Sequence, residues 1–387
     1  MKLATLRTPL AIAALLAGSS AFVTAQANTD ISTRWANITV ETVADGLVRP
    51  WGIEFLPDGR MLVTELPGRI RIVGADGSVG EPLTGLPDIT VRNQGGLLDV
   101  LLAPDFEQNQ RIYLSYSEPQ SAGSTITSTA VAYATLSDTA LTDFTRVFSG
   151  EPKVEGGRHY GGRMTFSADN RYLFVGLGDR GHQMMQSQEL DSHTGTLIRI
   201  LPNGSIPSDN PFVNNPNAQP EIWSYGHRNI QGLDIEPSTG KVWAVEHGPQ
   251  GGDELNQPQP EKNYGWPVIT YGEEYGGGEL RTSQGIKQEG LEQPIWHWTP
   301  SIAVSGMTFY TGEHIPQWQG NILAGALRGQ EIARLEVHEG RVIHYEAIPM
   351  EYRVREVTQG PDGHIYVLTD ERENAKILRL RATTKSQ

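Results

Sequence analysis

Apolar and polar residues alternate with a period of two in short runs, each run broken by a turn rich in Pro, Asp, Gly and Asn, and this unit recurs six times. The first is Gly52-Ile53-Glu54-Phe55-Leu56-Pro57-Asp58-Gly59 followed by Met61-Leu62-Val63, the third Met164 to Asn170 followed by Tyr172-Leu173-Phe174, and the last Val357 to Gly363 followed by Ile365-Tyr366-Val367. Such a unit predicts a β-hairpin, and no segment between the six shows the 3.6-residue period of a long helix. The second strands are expected to begin at 61, 112, 172, 242, 322 and 365. The mean step of about 61 residues leaves room for a four-stranded sheet with variable loops, the dimensions of a propeller blade. The fold predicted is all-β, a single six-bladed β-propeller. Two β-sandwiches would also use alternating strands, but nothing obliges a sandwich to repeat one hairpin signature.

Composition narrows what such a ring can do. The chain has 387 residues and a formal net charge of −14, which disfavours nucleic acid or an anionic membrane surface as partner. It has no cysteine, so disulfides, thiolate metal sites and cysteine nucleophiles are excluded. Lys2 and Arg7, the apolar run Leu10 to Leu16 and the Ala25-Gln26-Ala27 triplet together read as a cleaved export signal over residues 1–27. The propeller is then expected over 28–387, periplasmic or secreted, without membrane insertion.

The informative polar residues fall just upstream of, or at the start of, the first strand of each unit: Gln94, His159, Arg228-Asn229, Ser301, and Arg353 with Arg355. Equivalent positions in successive blades surround the pseudo-symmetry axis, so these side chains are expected to meet at one mouth of the central channel. With Arg328, they gather guanidiniums in an otherwise acidic protein, a set suited to a planar polyanion held through bidentate pairs. His159, between Gly156-Gly157 and Gly161-Gly162, is the general-base candidate; a hydrogen-bonded structural histidine is the plainer alternative. A second cluster, His247-Gly248-Pro249-Gln250-Gly251-Gly252-Asp253-Glu254, has glycines that free carbonyls to turn inward and carboxylates of the hard type calcium prefers. Read without further support it is equally a glycine-rich turn with solvated acids.

These stretches, above all His159-Tyr160-Gly161-Gly162-Arg163, Tyr225-Gly226-His227-Arg228-Asn229, Glu246-His247-Gly248-Pro249, Asn263-Tyr264-Gly265-Trp266-Pro267 and Arg353-Val354-Arg355, resemble the soluble pyrroloquinoline-quinone (PQQ)-dependent sugar dehydrogenases. That is the glucose/sorbosone dehydrogenase family, and the likeness is greatest to its aldose sugar dehydrogenase branch. The resemblance implies a six-bladed propeller, His159 as catalytic base, and quinone contacts from Gln94, Arg228, Asn229, Arg353 and Arg355. It implies backbone calcium ligands at Gly248 and Pro249, and a separate structural calcium at Glu254 and Tyr264. Arg328 matches a position where some relatives carry Lys, and Tyr275 is a further candidate for lining the cofactor. The glucose-oxidising relatives have Asp directly before the catalytic His, where this chain has Arg158, so substrate preference does not carry over.

The expected activity is oxidation of an aldose at C1 to its lactone, dependent on PQQ and calcium, with electrons passed to an external acceptor. The alternatives are a calcium-dependent lactonase or other hydrolase, which needs no arginine cluster, and a non-catalytic binding propeller, for which His159 is incidental. The preferred sugar, the acceptor and the choice between monomer and homodimer are not set by the sequence.

Overall fold

The computed structural model describes residues 29–385; the export signal expected over 1–27 lies outside the described residues. Six antiparallel sheets are arranged around an axis. Their innermost strands are Pro50–Phe55, Leu97–Leu102, Gly161–Phe166, Ile230–Ile235, Val304–Phe309 and Val354–Gln359. Each inner strand meets the next, and Val354–Gln359 returns to Pro50–Phe55, so the ring closes. The second strands start at Met61, Arg111, Leu173, Val242, Ile322 and Ile365, within a residue of where the alternation places them.

Closure is made inside the sixth blade. Ala36–Leu47 pairs antiparallel with Ala375–Thr384, from Ala36 opposite Thr384 to Leu47 opposite Ala375, and Thr29–Ser32 adds an outer strand. The two ends of the chain are thereby held in one hydrogen-bonded sheet, which leaves no open edge between first and last blades.

Strand number departs from four per blade at three places. The sixth blade has five strands, two of them from the start of the described chain; the second has a fifth, the short Val154–Glu155, on Ile126–Leu136; and the first has only Pro50–Phe55, Met61–Glu65 and Arg69–Val73. After Val73 the backbone lies across neighbouring sheets rather than pairing as a fourth strand. A side chain at Gly77 would collide with the Val43 carbonyl, and one at Gly85 with the Leu141 carbonyl, each at 2.0 Å. That close approach is open to glycine alone, and it ties the first blade to both neighbours.

The core lies between blades. Trp243, Val245 and Leu255 of the fourth pack on Met307, Phe309, Ile322 and Ala324 of the fifth, with Trp243 fully buried. Each such side chain stabilises the fold by roughly 1.5–3 kcal/mol. Polar clasps near the axis fix the angle between sheets. Ser115 Oγ donates to the Gly162 carbonyl at 2.6 Å, Ser305 Oγ to that of Val354 at 2.6 Å, and the Asp234 carboxylate accepts from Phe309 N–H at 2.8 Å.

Every inner strand also breaks register within its first few residues, between Pro50 and Ile53, Leu97 and Val100, Gly161 and Met164, Ile230 and Gly232, Val304 and Met307, and Val354 and Glu356. A bulge turns a strand and re-aims its side chains. Repeated six times at one height, it sets the rim of the channel apart from the regular ladder below.

Candidate active site

Two adjoining cavities open at this rim and share Gln94. The first, of about 250 Å³, is lined by Trp51, Asn229, Gln231, His247, Arg353 and Arg355 among others; the second, of about 580 Å³, by His159, Asp179, Arg228, Pro249, Trp266 and Tyr275 among others. Of the polar residues expected to converge from successive blades, Gln94, His159, Arg228, Asn229, Arg353 and Arg355 line these cavities, whereas Ser301 and Arg328 line neither.

His159 is held from several sides. Its backbone is left-handed, φ 48°, and its N–H donates to Gln94 Oε1 at 2.7 Å. Nδ1 lies 2.6 Å from Asp179 Oδ1. Asp179 is buried and fully engaged, accepting from Gly181 N–H at 2.7 Å and, at its second oxygen, from Trp266 Nε1 at 2.8 Å. A carboxylate on Nδ1 fixes that nitrogen as the N–H and leaves Nε2 with the lone pair. Burial, followed by the charge of Arg228, pushes the His159 pKa below its ordinary 6.5, against the pull of Asp179. The imidazole is thus neutral and basic near pH 7. Burial works to raise the Asp179 pKa, but the hydrogen bond from His159, with the charge of Arg228 and the Gly181 N–H, prevails and holds it below the ordinary value.

Arg228 donates its backbone N–H to Glu246 Oε2 at 2.6 Å and its guanidinium to the His247 carbonyl at 3.1 Å, lying over the Trp266 ring at 5.1 Å. Its Nε is buried without a partner, as is that of Arg355. Asn229 accepts from Gly161 N–H at 3.0 Å through its side-chain carbonyl and lines the smaller cavity. Arg353 and Arg355 fork onto the two oxygens of Asp370, at 2.9 and 3.2 Å.

The glycine loop after the fourth blade's second strand is built on Asp253. Its carboxylate accepts from Gly248 N–H at 2.9 Å and from Ser301 Oγ at 2.8 Å, so Asp253 and Ser301 shape the loop from behind. Among the described residues no donor reaches the carbonyl of Gly248 or Pro249, and Pro249 lines the His159 cavity. Two unspent carbonyls fit a hard cation. No group of three or more His, Asp or Glu side chains among the described residues forms a metal constellation, so a cation here relies on backbone oxygen.

The second calcium expectation finds a different chemistry. Glu254 and Glu246 are bridged by Asn256 Nδ2, 3.0 Å from each, and Asn256 Oδ1 is buried without a partner. Burial and then the charge of Glu246 push Glu254 up to about 8. Two buried carboxylates and a free amide oxygen suit a bound cation, which would relieve both terms. The Tyr264 hydroxyl donates to the Gln257 carbonyl at 2.7 Å and its ring stacks on His227, so only its backbone oxygen is left for that cluster.

Two expected residues sit farther out. Tyr275 lines the larger cavity but is 72 % exposed, and Arg328 is exposed and lines neither cavity, whereas its neighbour Leu327 lines the smaller. Sequence reasoning missed Asp179, Trp266, Asp370 and Glu246. For Asp179 a signal existed: Gly178-Asp179-Arg180-Gly181 frames one acid with glycines directly after the strand Leu173–Leu177.

Comparison with known proteins agrees with this architecture. A sequence model of the glucose/sorbosone dehydrogenase family matches residues 47–379, and the chain belongs to that family. It is a sugar oxidoreductase on a six-bladed propeller. The chain is 45 % identical over 341 residues to the aldose sugar dehydrogenase YliI of Escherichia coli K12, covering 87 % of this chain and 91 % of that protein. The crystal structure of the soluble aldose sugar dehydrogenase from Escherichia coli, in its apo form, superposes with a TM-score of 0.84 at 43 % identity over 89 % of this chain and 99 % of that one. The PQQ-bound form of an aldose sugar dehydrogenase from Streptomyces coelicolor gives 0.72 at 28 % identity, covering 89 % and 98 %.

Proposed function

We propose that the protein oxidises aldose sugars at C1 to lactones, using PQQ with calcium and an external electron acceptor. The observation that carries this is the gathering of a neutral, oriented imidazole with the guanidiniums of Arg228, Arg353 and Arg355 around two adjoining cavities at one rim of the ring. The PQQ-bound relative supports the cofactor. A lactonase would have no use for the arginines.

Gln94, Arg228, Asn229, Arg353 and Arg355 are the residues that hold the cofactor, with Tyr275 and Arg328 as outer contacts. The carbonyls of Gly248 and Pro249 hold its calcium; Glu254, with the Tyr264 backbone, holds a second, structural one. Bound there, PQQ and its calcium supply a hydride-accepting carbon polarised by a Lewis acid. His159 Nε2 takes the proton of the C1 hydroxyl, and Asp179 stabilises the imidazolium that results. Arg228 places a fixed positive charge where negative charge develops.

Purified protein loaded with PQQ and calcium should reduce a redox dye in the presence of an aldose. No reduction with any aldose, together with no binding of PQQ, refutes the assignment.

A further inference from the structure

The arginine-lined cavity contains one guanidinium that the reaction scheme leaves without a role. Arg49 enters it from the chain segment between the closing strand Ala36–Leu47 and the first blade, next to the sixth blade that carries Arg353 and Arg355. Its backbone is left-handed, φ 46°, an uncommon state for a residue with a Cβ, and it is held there from both sides. Arg49 N–H donates to the Glu371 carbonyl at 3.0 Å, and its own carbonyl accepts from Leu66 N–H at 2.9 Å. Strained backbone of this kind persists where surrounding structure fixes it, and it gathers at ligand sites.

The side chain has little else to do. Its one side-chain hydrogen bond runs to the Asn93 carbonyl at 3.1 Å, and it makes no ion pair among the described residues. The single carboxylate facing the cavity, Asp370, has one oxygen on Arg353 and the other on Arg355. Three guanidiniums thus face one carboxylate already shared between two of them. Burial, and the charges of Arg355, Arg372 and Arg353 set against Asp370, favour loss of the Arg49 proton, which the guanidinium nonetheless retains. The imbalance is local to this cavity in a chain of net charge −14.

We infer that Arg49 is a further cofactor-binding residue, whose guanidinium pairs with a carboxylate of the bound quinone that the Asp370-tethered arginines cannot neutralise alone. This rests on the PQQ reading of the same site. A planar tricarboxylate is then met by guanidiniums of two neighbouring blades: Arg353 and Arg355 from the sixth, and Arg49 from the start of the first. Asp370 holds the first pair in place; Arg49, without an acidic tether, is free to orient to the ligand.

The test is equilibrium titration of apo-protein with PQQ at fixed calcium, followed by tryptophan fluorescence, for wild type, Arg49→Ala and Arg49→Lys, with melting temperatures as the folding control. Loss of one charge-assisted pair raises the PQQ Kd roughly 10- to 100-fold in Arg49→Ala, and Arg49→Lys recovers part of it. The trimethyl ester of PQQ, which lacks the carboxylates, should bind wild type and Arg49→Ala alike. If wild type binds PQQ and Arg49→Ala binds it equally well, the inference is overturned and the cofactor reading stands. If wild type binds no PQQ, both fall.

Discussion

The proposed base stands at the end of a chain of three side chains, each constraining the next. Trp266 Nε1 and Gly181 N–H fix Asp179, Asp179 fixes His159 Nδ1, and Gln94 fixes the His159 backbone. Replacing His159 with Ala should lower turnover about 10²- to 10⁴-fold while PQQ binding is retained, since the imidazole is a proton acceptor and not part of the arginine cradle. A pre-steady-state measurement of sugar-dependent cofactor reduction separates the two. The pH profile carries a second expectation. His159 titrates below 6.5 because burial and Arg228 disfavour its charge, so kcat/KM should hold constant down through pH 6.5 and fall only at lower pH. Asp179 opposes that shift. Asp179→Asn should therefore move the acid limb to still lower pH while also lowering kcat, because the imidazolium loses its counter-charge. An acid limb moving upward would contradict this assignment of Asp179.

At the scale of strands and loops, function is set by where regular structure stops. All six bulges include the second residue of the inner strand, and four of those residues, Trp51, Leu98, Gln231 and Arg355, line the smaller cavity. The strands themselves were legible, because alternation bounded by turn residues reports a half-buried sheet directly, and the start of each second strand lies within one residue of its expected place. The rim positions of Gln94, His159, Arg228 and Arg355 followed from register. Partners across blades were not legible: Asp179 and Trp266 are 87 residues apart, and their hydrogen bond exists only because two blades are neighbours in the ring. Nor did spacing show that Asp253 supports Gly248 from behind. The calcium reading gives that support a measurable consequence. Asp253→Ala removes the acceptor of Gly248 N–H and frees the loop, so the calcium needed for half-maximal reconstitution should rise roughly 10- to 100-fold. Unchanged calcium demand would mean that the Gly248 and Pro249 carbonyls do not hold the ion.

The whole ring turns on its axis, and there the charges do not balance. Asp99, Glu356 and Glu54 lie on inner strands of the second, sixth and first blades, and a single cation, Arg163 of the third, stands among them. Arg163 pairs with Asp99 at 2.9 Å and contacts Glu356, while Gly52 and Gly306 leave the space that the Asp99 and Glu356 carboxylates fill. One guanidinium cannot neutralise three acids. Burial, followed by the neighbouring charges of Asp99 and Glu356, pushes Glu54 up to about 8. Burial likewise takes Glu356 to about 8, although Arg163 pulls it down. Their folded pKa values thus stand above the unfolded value of 4.5, so between 4.5 and 8 the folded state binds protons that the unfolded chain has released. Stability from these groups is complete below pH 4.5 and is lost as pH rises through about 8, with a slope up to about 1.4 kcal/mol per pH unit per group. The carboxylates held low, Asp179 and Asp370 among them, act in the opposite sense, weakening the fold as acid protonates them. The melting temperature should therefore decline as pH rises through neutral toward about 8 and level off above it, and Glu356→Gln, which keeps the shape and cannot ionise, should flatten that decline. If the variant and the wild type lose stability in parallel above pH 7, the Glu356 carboxyl is already ionised in the folded ring, and Arg163 compensates it more fully than the crowding at the axis implies.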